Sequence, residues 1–131
     1  MEKMVTKVCL DTSIVIALLK KKENYERFLN ALEECELYIS SITVFELFMR
    51  KSNLDEIEKL VSQIMILPFG EAEAKKASEL FKKQAKEGKT VDFRDLFIAA
   101  TAINNNCKIF TLDNDDFGKI KDVMLLKATG I

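Results

Sequence analysis

Short apolar runs alternate with helical patterns along nearly the whole chain, and that alternation limits the fold more than any other feature. Residues 5–10, 37–39, 65–69, 108–111 and 123–126 carry strand-like runs. Between them apolar residues recur at spacings of three and four, which predicts helices over 12–22, 23–34, 41–50, 54–64, 71–87 and 92–105. Strands separated by helices predict a three-layer α/β/α domain on a mainly parallel sheet. Sheets of this kind bind ligands beyond the C-terminal ends of their strands. The first run, Lys7-Val8-Cys9-Leu10, ends there on a carboxylate, Asp11, and Thr12-Ser13 follow it into a helix.

At 131 residues the chain is expected to form one domain over 1–131, long enough to bury a substantial core. With 48% hydrophobic and 31% charged residues it reads as globular and not disordered. No apolar stretch reaches the roughly 20 residues of a membrane span. Met1-Glu2-Lys3-Met4 runs straight into the first strand and leaves no room for a signal peptide, so a cytoplasmic location is expected. Histidine is absent and the three cysteines, Cys9, Cys35 and Cys107, are widely spaced. Ser-His-Asp and Cys-His catalysis are thereby excluded, and neither a zinc site nor a disulfide framework is indicated. Carboxylates, lysines, hydroxyls or a hard metal ion remain. The net charge of −1 gives no whole-molecule attraction to a polyanion. The lysines of 75–89 alternate with glutamates, as on a solvated helix face.

Four acids stand out, and each has an ordinary reading. Asp11, Thr12 or Ser13 are all able to cap the helix that follows. Glu46 lies in Ile42-Thr43-Val44-Phe45-Glu46-Leu47-Phe48, where an unpaired buried charge would be costly. Asp92 and Asp95 have the spacing of a capping box, and a cap is the preferred role for Asp92. Asp95 opens the most apolar helix of the chain, Leu96-Phe97-Ile98-Ala99-Ala100, which places it at the sheet's C-terminal edge. Asp113 follows the 108–111 strand in a loop with Asp115 and Asp116 that also reads as a polar turn. Together these acids say more. Two carboxylates about 5 Å apart at an effective dielectric of ~20 repel by about 3 kcal/mol, so a cluster calls for protonation or a cation. An all-oxygen ligand set selects Mg²⁺ or Mn²⁺, ions that serve phosphoryl chemistry.

At Leu10-Asp11-Thr12-Ser13, Ser41-Ile42-Thr43-Val44-Phe45-Glu46, Asp95-Leu96-Phe97-Ile98-Ala99-Ala100-Thr101-Ala102 and Thr111-Leu112-Asp113 with Asp116-Phe117, the chain resembles the PIN-domain ribonucleases. Within that family it is similar to the VapC-type toxins of prokaryotic toxin–antitoxin pairs. The resemblance implies a PIN-like (Rossmann-like) fold. It implies that Asp11, Glu46, Asp95 and Asp113 are the acidic quartet that binds one or two Mg²⁺ or Mn²⁺ ions. Ser13, Thr111 and Asp116 would support them, with Asp92 beside them as a cap. It further implies an RNA substrate cut by metal-activated water, a homodimer, and a small antitoxin partner. Arg50, Lys51 and Arg94 are candidate phosphate contacts. Two other readings stand beside the toxin: a housekeeping PIN nuclease in ribosomal or transfer RNA maturation, and a catalytically silent binding module. A phosphoacceptor role for Asp11 is disfavoured, because no second Asp follows two residues on and no glycine-rich phosphate loop exists.

Overall fold

The computed structural model describes residues 5–127. Residues 1–4, where the absence of a signal peptide was read, and 128–131 at the end of the expected domain lie outside them. Eleven elements follow in order: β1 (Lys7–Leu10), α1 (Thr12–Leu19), α2 (Tyr25–Ala31), β2 (Glu36–Ser40), α3 (Ser41–Phe48), α4 (Leu54–Gln63), β3 (Met65–Leu67), α5 (Glu71–Lys86), α6 (Phe93–Asn104), β4 (Lys108–Phe110) and α7 (Asn114–Gly118). The sheet is wholly parallel in the order β3-β2-β1-β4. Pro68 lies just past β3, an edge strand, where a missing ladder donor is tolerated.

The strands' two-residue period divides the core. Val8, Leu10, Ile39 and Phe110 face one side, with Ile14, Val15, Phe28, Leu47 and Ile57. Cys9, Tyr38 and Ile109 face the other, with Leu80, Leu96, Ile98 and Ala99. The sheet is therefore covered on both faces, α1, α2 and α4 on one side and α5 and α6 on the other. Each fully buried Leu or Ile stabilises this packing by about 1.5–3 kcal/mol. As its sequence predicts, α6 is central, with Ile98, Ala99 and Ala100 wholly inaccessible. No helix among the described residues is long and apolar enough to cross a membrane.

Several expectations are corrected. Helix α1 ends at Leu19, because Lys21 turns into the left-handed region at φ 47°, and α2 spans only Tyr25–Ala31. Leu29 and Phe48, whose apolar spacing within the expected helices 23–34 and 41–50 predicts burial, are 42% and 38% exposed. The 123–126 run makes a single bridge, Ile109 to Leu125, in place of a strand. In a parallel ladder alternate residues bond to alternate sides. The three-residue β4 bonds β1 on one side and leaves Ile109 to serve the other. Ile109 N–H donates to Met124 O (2.8 Å), and Leu126 N–H donates to Ile109 O (2.9 Å). The polar turn read at 113–117 is the short helix α7, anchored by the fully buried Phe117.

The chain steps from β1 outward to β2 and β3, then crosses to the opposite side of β1 for β4. The crevice between the C-terminal ends of β1 and β4 is thus the point where strand order reverses, the usual ligand seat of an open α/β sheet.

Candidate functional site

Asp11 sits at that crevice, only 5% exposed. Its N–H donates to Phe110 O (2.9 Å), continuing the β1–β4 ladder by one bond. It occupies the position before α1, yet its side chain makes no capping bond. Instead Oδ2 accepts from Ser13 Oγ (2.8 Å) and from Thr111 Oγ1 (2.8 Å), hydroxyls that follow β1 and β4. Ser13 Oγ also accepts from Leu112 N–H (3.0 Å), and Thr111 Oγ1 from Asp113 N–H (2.9 Å). These bonds tie the loop carrying Asp113 to the end of β1.

Glu46 arrives from α3, whose start is fixed by Ser40 Oγ accepting from Thr43 N–H (3.1 Å). One carboxylate oxygen, Oε1, accepts from Thr12 Oγ1 (2.7 Å). The other, Oε2, stands 3.5 Å from Arg94 Nη1. Thr12 enters the site as a positioning group that sequence reasoning treated only as a possible cap. The signal for it was its place between Asp11 and Ser13. Arg94 Nε also lies 3.6 Å from Asp92, whose side chain accepts from Arg94 N–H (2.8 Å) and caps α6. Asp92 is therefore the helix cap its spacing suggested. Asp95 instead lies within the electrostatic reach of the acids.

Burial, then the charges of Asp11, Asp92, Asp116 and Glu46, push the Asp95 carboxyl up to about 7. Asp113 is raised in the same way, by burial first and then by Asp11 and Asp116. Asp116 carries an ion pair to Lys119 (3.7 Å). Lys119 shares a cleft of about 230 Å³ with Thr90, Asp92, Asp95 and Asp116. No sequence pattern pointed to Lys119. Arg50 and Lys51, at the far end of α3, form no ion pair with these acids. Burial raises the Cys9 thiol to about 12, with Cys107 and Asp11 adding to it, so this neighbour is chemically inert.

The donors are oxygens throughout, and two of the acids hold their protons abnormally tightly. Burial and like charges raise both, which favours their neutral forms or a nearby cation. No three His, Cys, Asp or Glu side chains among the described residues are grouped closely enough to hold an ion together. The arrangement fits an ion that keeps several waters and takes one or two carboxylates directly, as Mg²⁺ does.

Comparison with known proteins agrees with this geometry. The PIN domain family model matches residues 8–123. Ribonuclease VapC of Rickettsia bellii is 36% identical over 124 residues, covering 89% of this chain and 92% of the relative. The chain belongs to the PIN-domain family, among the VapC proteins. A second VapC relative, the tRNA(fMet)-specific endonuclease VapC of Shigella flexneri, is 31% identical over 121 residues, covering 87% of this chain and 92% of the relative. Among solved structures, VapBC2 from Rickettsia felis bound to a DNA fragment from its promoter superposes with a TM-score of 0.80 at 25% identity, covering 92% of this chain and 97% of that one. DNA-bound VapBC from Salmonella typhimurium gives the same TM-score, identity and coverage. The PIN-domain match, over residues 8–123, spans both crevice-lining segments, after β1 and after β4.

Proposed function

We propose that this VapC protein is a Mg²⁺- or Mn²⁺-dependent endoribonuclease and the toxin of a toxin–antitoxin pair. The observation that carries the reading is the acidic crevice between β1 and β4, with Asp11 fixed by two hydroxyls and Asp95 pushed up to about 7 by burial and by its acidic neighbours. The sequence relationship to proteins named ribonuclease and endonuclease supports it.

Asp11, Asp95 and Asp113 would hold the ion, partly through water, with Glu46 alongside. When bound, the ion would polarise the phosphodiester and lower the pKa of an attacking water. The chain's own residues supply the geometry. Ser13 and Thr111 fix one oxygen of Asp11 and so limit the directions its carboxylate can take. Thr12 does the same for Glu46, which is then placed to accept a proton from the attacking water. Arg94, half-exposed beside Glu46, is placed to face a phosphate oxygen. The leaving 3′ oxygen takes its proton from solvent at this open edge.

Protein partners have candidate surfaces as well. A cavity of about 380 Å³ lined by Leu18, Leu19, Tyr25, Leu29, Leu60 and Ile64 suits an apolar segment of an antitoxin. Exposed Phe45, Phe48 and Met49 on and after α3 suit a second copy of the chain. Purified protein incubated with transfer RNA and Mg²⁺ tests the central reading. Cleavage that stops with EDTA and in Asp11→Asn is expected, whereas cleavage indifferent to both would overturn it.

A further inference from the structure

Beside the acidic crevice, the end of α5, the 87–92 loop and the start of α6 enclose a cavity of about 590 Å³. Its volume falls within the roughly 300–1,000 Å³ of small-molecule sites. Its shape is set by the turn that ends α5. Gly88 adopts φ 70°, Gly88 N–H donates to Ala85 O (3.0 Å), and Lys89 N–H donates to Gln84 O (2.8 Å). That closing pattern requires a left-handed residue after the helix. Phe81 and Phe93 line the mouth, 48% and 61% exposed, with ring centroids 5.8 Å apart and planes tilted by 55°. The two rings in contact form an exposed apolar patch at the cavity.

Gln84 lines the same cavity and is only 2% exposed. Its Oε1 and Nε2 are the only buried side-chain polar atoms without a hydrogen-bond partner among the described residues. A buried amide left unpaired is costly, and native structures rarely keep one without a reason. The cavity shares Thr90, Val91 and Asp92 with the cleft that Asp95, Asp116 and Lys119 also line. A ligand seated in it is therefore a neighbour of the acids.

We propose that this cavity is a nucleobase pocket, seating one adenine of a single-stranded RNA next to the phosphate that lies over the acids. The idea rests on the nuclease reading and names its substrate more closely. Phe93 supplies a stacking face, the way single-stranded RNA is commonly held. A rotamer change of the long Gln84 side chain presents one donor and one acceptor side by side, the pair that matches adenine N7 and N6. Lys89, exposed at the rim and 3.1 Å from Glu87, is placed for a flanking phosphate.

The test uses the full chain. AMP, GMP, CMP and UMP are titrated in EDTA while the Gln84 side-chain NH₂ signal, identified by its loss in Gln84→Met, is followed by NMR. AMP is expected to shift that signal saturably and to bind about tenfold more tightly than UMP. In Gln84→Met the difference between AMP and UMP is expected to vanish while the melting temperature holds or rises, since an unpaired amide has been removed. Phe93→Leu is expected to weaken all four about tenfold without erasing their order. Equal binding of the four nucleotides, or a preference unchanged in Gln84→Met, would overturn the pocket. So would a Phe93→Leu variant that binds as the parent does but changes mass from dimer to monomer, which would mark a subunit contact instead. The nuclease reading fails separately. Adenine preference without Mg²⁺-dependent cleavage would sink the nuclease alone, and cleavage without base discrimination would sink the pocket alone.

Discussion

Replacing Asp95 by Asn removes a charge that the fold holds at a loss, so it should strengthen the metal-free protein while destroying its activity. Asp95 is raised from 3.8 to about 7 by burial and by four neighbouring acids. At 1.36 kcal/mol per pH unit this corresponds to about 4 kcal/mol, which screening at a site partly open to water reduces to roughly 1–2 kcal/mol. The pH dependence follows from the direction of the shift. Between the unfolded and folded values the folded protein binds the extra proton, so stability falls as pH rises from 3.8 to about 7 and is level above. The N-terminal position of Asp95 in α6 returns about 0.5 kcal/mol to the charged form. For a domain of this size 1–2 kcal/mol is roughly 3–8 °C in melting temperature. Thermal melts of parent and Asp95→Asn in EDTA at pH 8 and pH 5 measure it. The variant should melt higher at pH 8, with a smaller gain at pH 5. Mg²⁺ should raise the parent's melting temperature and leave the variant's nearly unchanged. A variant that melts lower than the parent at pH 8, or gains equally at both pH values, would refute the reasoning.

Other outcomes follow from single contacts. Thr111→Val removes a hydroxyl that donates to Asp11 at 2.8 Å; a charge-assisted bond of this kind is worth about 1.5–3 kcal/mol, and both melting temperature and RNA cleavage should fall. Thr12→Val frees Oε1 of Glu46 from its 2.7 Å bond, so cleavage should drop by about tenfold, or about 1.4 kcal/mol in the barrier, with KM nearly unchanged. Gly88→Ala places a side chain at φ 70° with open space around it, and should cost about 1 kcal/mol in a denaturant melt from backbone conformation alone. Phe45→Ser on the exposed face of α3 should shift the mass seen by sedimentation toward a monomer if that face joins two copies.

The sheet and the acids were legible in the sequence for different reasons. Alternating apolar strands and helical stripes marked β1, β2 and β4 because burial on both faces leaves little choice of residue type, while β3, an edge strand with Met65 and Ile66 exposed, was marked by its apolar run and Pro68. Asp11 and Asp95 were visible because each follows or opens an apolar element and so had to lie at a strand end or helix start. The 123–126 run misled because an apolar run does not by itself make a strand: only Leu125 bridges the three-residue β4, and Met124 is 58% exposed. Leu29 and Phe48 misled for the converse reason: their spacing was helical, but the stripe they belong to is wider than the surface covering it. The roles of Thr12 and Gln84 were not legible. One depends on where α3 delivers Glu46, the other on how the turn after α5 folds residues 81–96 around a cavity, which residue spacing does not report.

The most direct test of the central claim is cleavage of RNA by the purified protein across a Mg²⁺ titration, with Asp11→Asn in parallel. Cleavage that rises saturably with Mg²⁺, is abolished by EDTA and is absent in a folded Asp11→Asn protein is the expected result. Cleavage by that variant at the parent's rate would contradict the assignment of the crevice as the catalytic centre.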